Sequence, residues 1–260
     1  MMNYSFMSFS APALSLKASL EAAVKFGYSG FEPRLDSRHA HGIEVNSSAQ
    51  FLAEARKMAE DFGVKYSCVA TSCKLAIPNG LADNITAAER AISLAEKIGC
   101  KAIRVFGGNL PEGLTREKAM DALKQSLSHL VRTANGSGVN ICLETHDDWC
   151  DPFTVSEVAR ESGCAVNWDI MHTFLTGKYS PEKAFDLLKP HIRHVHIHDG
   201  KRSGGKLEFF SIGKGDVDHC VPVKLLKDSG YSGFISGEWI GWEPWEDHLP
   251  REIKILKSYE

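Results

Sequence analysis

No part of the chain is apolar for the roughly 18 residues of a membrane span. The opening MMNYSFMSFSAPALSLK also lacks the basic segment and apolar core of a secretory leader, so a cytoplasmic protein is expected and no membrane partner. A charge excess is missing too. Lysine plus arginine is 30 against 33 acidic residues, a net of -3, and nothing in that balance attracts nucleic acid or an anionic surface. The seven cysteines (68, 73, 100, 142, 150, 164 and 220) are odd in number and contain no C-x-x-C pair. They exclude a zinc ribbon or a disulfide framework and read as reduced thiols, mostly in the core. No G-x-G-x-x-G follows the first apolar run, which argues against a dinucleotide site, and no linker or low-complexity segment interrupts the pattern. These absences leave one domain over residues 1–260, long enough for a sizeable core, with a small-molecule ligand. A homo-oligomer stays open.

What is present alternates. Short apolar runs at 4–9, 30–34, 65–70, 102–107, 140–145, 165–170, 194–199 and 233–239 read as eight strands. Between them lie segments of helical periodicity. Several start on a capping residue (Ser15, Ser47, Thr115, Thr154, Ser180) and several stop on glycine (Gly27, Gly63, Gly99, Gly163, Gly230). Eight strand and helix pairs of about 30 residues each predict an α/β chain closed into a (β/α)8 barrel. An open doubly wound sheet is the alternative.

In such a barrel the chemistry sits where the strands end, because the following loops converge on one mouth. Metal-ligand residue types gather on the last four strands, in LETHDDW, WDIMH, HVHIHD and GEW. Taken one per strand, Glu144, Asp169, His196 and Glu238 are 25, 27 and 42 residues apart, close to one repeat or a little more. Three carboxylates and an imidazole form a hard, oxygen-rich set. It suits one divalent ion, Mn, Mg, Co or Zn. His194, His196 and His198 share one face of their strand by period-two alternation. His196 is the expected ligand, His198, one layer nearer the mouth, a substrate contact, and His194, one layer deeper, a hydrogen-bonded core histidine.

In this order and spacing, LETHDDW, WDIMH, HVHIHDG, SIGKGD and GEW resemble the sugar phosphate isomerase/epimerase group, the TIM barrels similar to xylose isomerase. That group includes ketose 3-epimerases, hydroxypyruvate isomerase and inosose enzymes. The resemblance runs from GFEPR at the second strand to the last strand, with its specific motifs between residues 143 and 239. It implies a barrel with a single divalent metal on Glu144, Asp169, His196 and Glu238. It also implies substrate contacts from His172, three residues after the aspartate, and from Arg202, six after the ligand histidine. Where the ketose epimerase pattern has a glutamate after the seventh strand, this chain has Asp199.

The chemistry these residues suit is enolisation. The metal polarises a carbonyl and stabilises an enediolate, while Glu144 and Glu238 act as the acid/base pair. The competing role for both glutamates is ligation alone, with His172 or His146 moving protons. His146 shares parity with Glu144 and reads equally as a substrate contact or as a partner holding a ligand. Glu32 reads as a substrate contact, Arg104 as structural. Trp149 is a candidate sugar-facing ring, with loop core as the other reading. The loop DGKRSGGKLEFFSIGKGD is basic and glycine-rich, and an anion site and a solvated loop fit it about equally. The expected function is a sugar or sugar phosphate isomerase or epimerase. A metal-dependent lyase on a keto acid or keto sugar shares the first proton abstraction, and a non-catalytic sugar-binding barrel is a third reading. Apurinic endonucleases share the barrel and metal pattern, but their additional histidines are missing from CVATSCK and RVFGGN.

Overall fold

The computed structural model describes residues 2–204 and 206–260, so the basic loop read from 199 to 216 is covered except at Gly205. Its strands are β1 Asn3–Met7, β2 Gly30–Glu32, β3 Lys65–Tyr66, β4 Val69–Lys74, β5 Ala102–Phe106, β6 Asn140–Glu144, β7 Ala165–Asp169, β8 Ile192–Ile197, β9 Asp199–Ser203, β10 Lys206–Phe210 and β11 Phe234–Gly237. All but β9 and β10 join one parallel sheet in the order β3-β2-β1-β11-β8-β7-β6-β5-β4. The two ends of that order, β3 and β4, are halves of the single third strand expected at 65–70. A bridge between Arg34, just past β2, and Ala70 of β4 links the two ends of that order, so the sheet curls into a nearly closed barrel of parallel strands and surrounding helices.

The helices are α1 Leu16–Phe26, α2 Ala49–Phe62, α3 Leu81–Ile98, α4 Arg116–Thr133, α5 Pro152–Ser162, α6 Ile170–Leu175, α7 Pro181–Leu188, α8 Cys220–Asp228 and α9 Trp245–Ser258. Ser15, Thr115 and Ser180 cap α1, α4 and α7 by accepting from first-turn amides. Two expected caps move. Ser48 rather than Ser47 caps α2, because the Ser47 hydroxyl accepts from the amide of Glu44 in the preceding loop. Asp151 rather than Thr154 caps α5, since a carboxylate just before Pro152 reaches two first-turn amides while the Thr154 hydroxyl donates to it.

Alternation along the strands divides the interior in two. Phe6, Phe31, Val105, Leu143, Trp168 and Val195 are buried in the main core with residues of the helices. Each such side chain contributes about 1.5–3 kcal/mol by leaving water. The alternate positions, Ser5, Glu32, Arg104, Glu144, Asn167, Asp169, His194, His196 and Ser236, are equally buried but polar. Branched apolar side chains usually fill the inside of such a barrel. Here a polar layer lies under the mouth, and below it Cys68, Ala102, Cys142 and Ala165 form a separate cluster of small residues.

Two elements were not expected from periodicity. Asp169 ends β7 and at once caps α6, its Oδ1 accepting from the amide of His172 at 2.8 Å, so a one-and-a-half-turn helix begins where the strand stops. The basic loop contains a hairpin, β9 with β10. Among the described residues no helix is long and apolar enough to cross a membrane.

Candidate metal centre

Parallel pairing sets His196 beside Asp169 on one side and Ser236 on the other, with Asn167 beside Glu144. These registers bring the ends of β6, β7, β8 and β11 to one level. Glu144, Asp169, His196 and Glu238 each offer a donor atom, and the four atoms lie within 4.8 Å of one another. The first three are fully buried and Glu238 is 6% exposed.

The hydrogen bonds say which atoms are free to face a cation. His196 Nε2 lies 3.0 Å from Glu32 Oε1, and a carboxylate can only accept, so that nitrogen carries the proton. In the neutral ring Nδ1 then holds a lone pair. Glu144 Oε1 stands 2.5 Å from Nδ1 and Glu238 Oε2 2.9 Å from it, yet neither lies in hydrogen-bonding geometry, and Nδ1 has no hydrogen-bond partner. Lone-pair atoms crowded at that distance need a positive charge among them. A proton on Nδ1 meets the need, and the three glutamates outweigh burial to raise the His196 pKa well above its ordinary value. A divalent cation meets it more completely, and the oxygen-rich donor set fits Mn, Mg, Co or Zn.

Each candidate ligand is held from behind. Arg104 Nη1 donates to Glu144 Oε2 at 3.1 Å and Asn167 Nδ2 to Oε1 at 3.0 Å. His198 is 3.0 Å from Asp169 through Nε2 and 3.0 Å from the Glu238 carbonyl through Nδ1, so it bridges two of the candidate ligands. Both its neighbours are acceptors. Burial works against charge on this ring, but Asp169 prevails and raises its pKa.

Above the centre sit two more histidines. His146 packs on His172 with ring centroids 4.1 Å apart, and His172 on His198 at 5.7 Å. Burial disfavours a charged His146, but its hydrogen bond to Asp147 (3.0 Å) and the fields of Glu144 and Asp169 push its pKa up to about 9. Burial, helped by His146 and His198, lowers His172 to about 4 against the pull of Asp169. A cationic donor therefore stands beside a neutral ring.

The remaining expected contacts sit differently. Glu32 is fully buried, with Oε2 2.8 Å from His194 Nε2 and Oε1 on His196. Both its oxygens are therefore taken up by histidines, and it backs the candidate ligand His196, because the short β2 ends inside the polar layer. Trp149 has no exposed surface; its Nε1 donates to the Gly108 carbonyl and its ring covers Gly107 so closely that a Cβ there would lie 2.2 Å from it. The geometry makes it loop core. Arg202 is exposed on β9 and donates to Thr176 Oγ1 at 2.8 Å, tying the hairpin to the end of α6. Asp199 faces inward, accepting from the amides of Gly200, Gly213 and Gly215, each at 2.9 Å. It clamps the loop instead of replacing a substrate-binding glutamate. Sequence reading passed over Asn167, which its parity with Asp169 could have flagged, since residues two apart on a strand share a face.

A family model described as xylose isomerase-like TIM barrel matches residues 20–259. The chain belongs to the xylose isomerase-like TIM barrel family. Its structural relatives share the fold over almost their whole length. A D-psicose 3-epimerase determined in the presence of D-fructose superimposes with a TM-score of 0.81 at 16% identity, covering 99% of each chain. The probable 3-DHS dehydratase AsbF of Bacillus anthracis gives 0.80 at 18% identity, covering 98% of this chain and 99% of that one. An uncharacterized protein of Methanocaldococcus jannaschii, MJ1311, is 27% identical over 161 residues, 57% of this chain. The chain spans about half, 54%, of that relative's length. At these identities the structural likeness is one of fold within the family.

Proposed function

We propose that the protein is a divalent-metal-dependent isomerase or epimerase of a sugar or sugar phosphate, moving a proton on the carbon next to a carbonyl. The observation that carries this reading is the convergence of Glu144, Asp169, Glu238 and the unpartnered His196 Nδ1 at the mouth of a barrel of this family. When bound, a divalent ion supplies Lewis acidity, polarising the substrate carbonyl and stabilising negative charge as it develops on that oxygen.

Glu144 and Glu238 are the proton carriers in this reading, and their surroundings differ. Both oxygens of Glu144 are engaged, by Arg104 and Asn167, which holds that carboxylate fixed. Glu238 sits 2.9 Å from His196 through Oε2, and its pKa is lowered because His196, followed by Arg104, outweighs burial. An ionised carboxylate with the looser tether is suited to take a proton from carbon and return it. His146 and His172 stand where they can orient hydroxyl groups, one as a cationic donor and the other as a neutral ring. The buried surroundings strengthen each of these interactions by excluding water.

A lyase begins with the same proton abstraction, and the fold shared with a probable dehydratase supports keeping it as the second reading. Proton NMR of ketoses, inososes and keto acids incubated with the protein and manganese in deuterium oxide tests both. Deuterium incorporation with isomerisation, abolished by chelation and restored by added metal, is the expected result. Turnover that persists after verified metal removal refutes the mechanism, and a product lacking a hydroxyl identifies the lyase.

A further inference from the structure

At the opposite end of the barrel from the carboxylates lies a cavity of about 790 Å³. It is bounded by residues at the starts of strands: Lys65 opens β3, Ala102 β5, Asn140 β6, Ile192 β8 and Phe234 β11. The small cluster of Cys68, Ala102, Cys142 and Ala165 lies at this end, where bulky branched side chains would ordinarily fill the barrel.

Four cations, Lys65, Lys101, Lys189 and Arg193, line this cavity and no carboxylate does. Among the described residues none of the four is in an ion pair. Arg193 is held in place, its Nη1 donating to the carbonyls of Ile192 at 2.8 Å and Pro190 at 3.3 Å. Ser67, only 6% exposed, is also among the residues that line the cavity. An adjoining hollow shares Asn140 and Arg193 and is lined also by Arg160 and His191.

We infer that the base of the barrel is a second binding site, taking a small organic dianion whose charged groups are phosphoryl or carboxylate. Like charges around a concave surface repel one another, and a counter-anion removes that repulsion. The volume lies within the roughly 300–1,000 Å³ of ordinary ligand sites. Phe185 and Phe234 offer apolar walls for a carbon body. This site is independent of the chemistry assigned to the metal centre.

Amide NMR of the full, metal-loaded chain, titrated with inorganic phosphate and separately with succinate, tests it against potassium chloride at matched ionic strength. The expected result is saturable shifts at residues 65–67, 101–102 and 192–193, weakened at least about tenfold in a Lys101→Gln/Arg193→Gln variant that keeps its metal and its fold. A response to phosphate assigns a phosphoryl ligand, a response to succinate a carboxylate one, and a response to both a site that selects by charge. Shifts that chloride reproduces, shifts confined to the metal end, undiminished binding in the variant, or no response to either probe would each overturn the inference.

Discussion

Glu32 Oε1 lies 3.0 Å from His196 Nε2 in a wholly buried contact, and this one hydrogen bond decides which face of the imidazole meets the carboxylates. A carboxylate behind a ligand histidine fixes its tautomer and its orientation and makes the far nitrogen a better donor to a cation.

Replacing Glu32 by glutamine keeps the size of the side chain but puts an amide NH2 where one histidine donates. Metal affinity is expected to fall by roughly 10- to 100-fold. Competition against a chelating dye measures it, and an unchanged dissociation constant would remove Glu32 from the metal centre's support.

Glu144→Gln and Glu238→Gln each keep an oxygen while removing a base. Each variant should retain most of its metal and lose about 10²-fold or more in the chemical step. A variant still able to abstract the proton should exchange substrate hydrogen for deuterium without completing the reaction. Near-normal turnover in both variants would hand the proton transfer to His146 or His172.

Metal binding should release protons. The His196 pKa lies well above the usual 6.5, so the metal-free ring is cationic at neutral pH and the incoming ion must displace its proton. Apparent affinity is then lowest in acid and rises about tenfold per pH unit until the raised pKa is reached, after which it levels. Calorimetry in buffers of different ionisation enthalpy counts the protons; a count of zero near pH 7 contradicts this ordering of charge.

Asp199 gathers the loop from Gly213 to Val217 onto its carboxylate, and the fit is tight, since a Cβ at Gly215 would fall 1.9 Å from Oδ1. Asp199→Ala should destabilise the protein by about 2–4 kcal/mol and speed amide exchange at 213–217. Asp199→Glu should disturb the loop as well, there being no room for the extra methylene. Unaltered exchange in the alanine variant would show that the loop is held by other contacts, such as those from Ser211 and Ile212 to Glu252.

The sequence by itself determined the repeating architecture and the convergence of four ligand-type side chains. A period of two on a strand and about one repeat between strands are local rules, and they are enough to put Glu144, Asp169, His196 and Glu238 at one end of a closed sheet. It also marked Asp199 as a departure from the ketose epimerase pattern. What it left undecided was which partner each inward-facing polar residue takes. Glu32 and His196 are 164 residues apart, Arg104 and Glu144 40 apart, and each pair meets only because the curled sheet sets their strands face to face across the barrel or side by side in register. The break in the third strand likewise depends on a contact from elsewhere in the chain, the bridge of Ala70 to Arg34. Trp149 shows the same limit: its ring is core because Gly107, on another loop, leaves space for it. Periodicity assigns a side chain to a face, but the hydrogen bond or packing contact it makes there is a property of the neighbouring strands and loops, and only the tertiary structure brings those within reach.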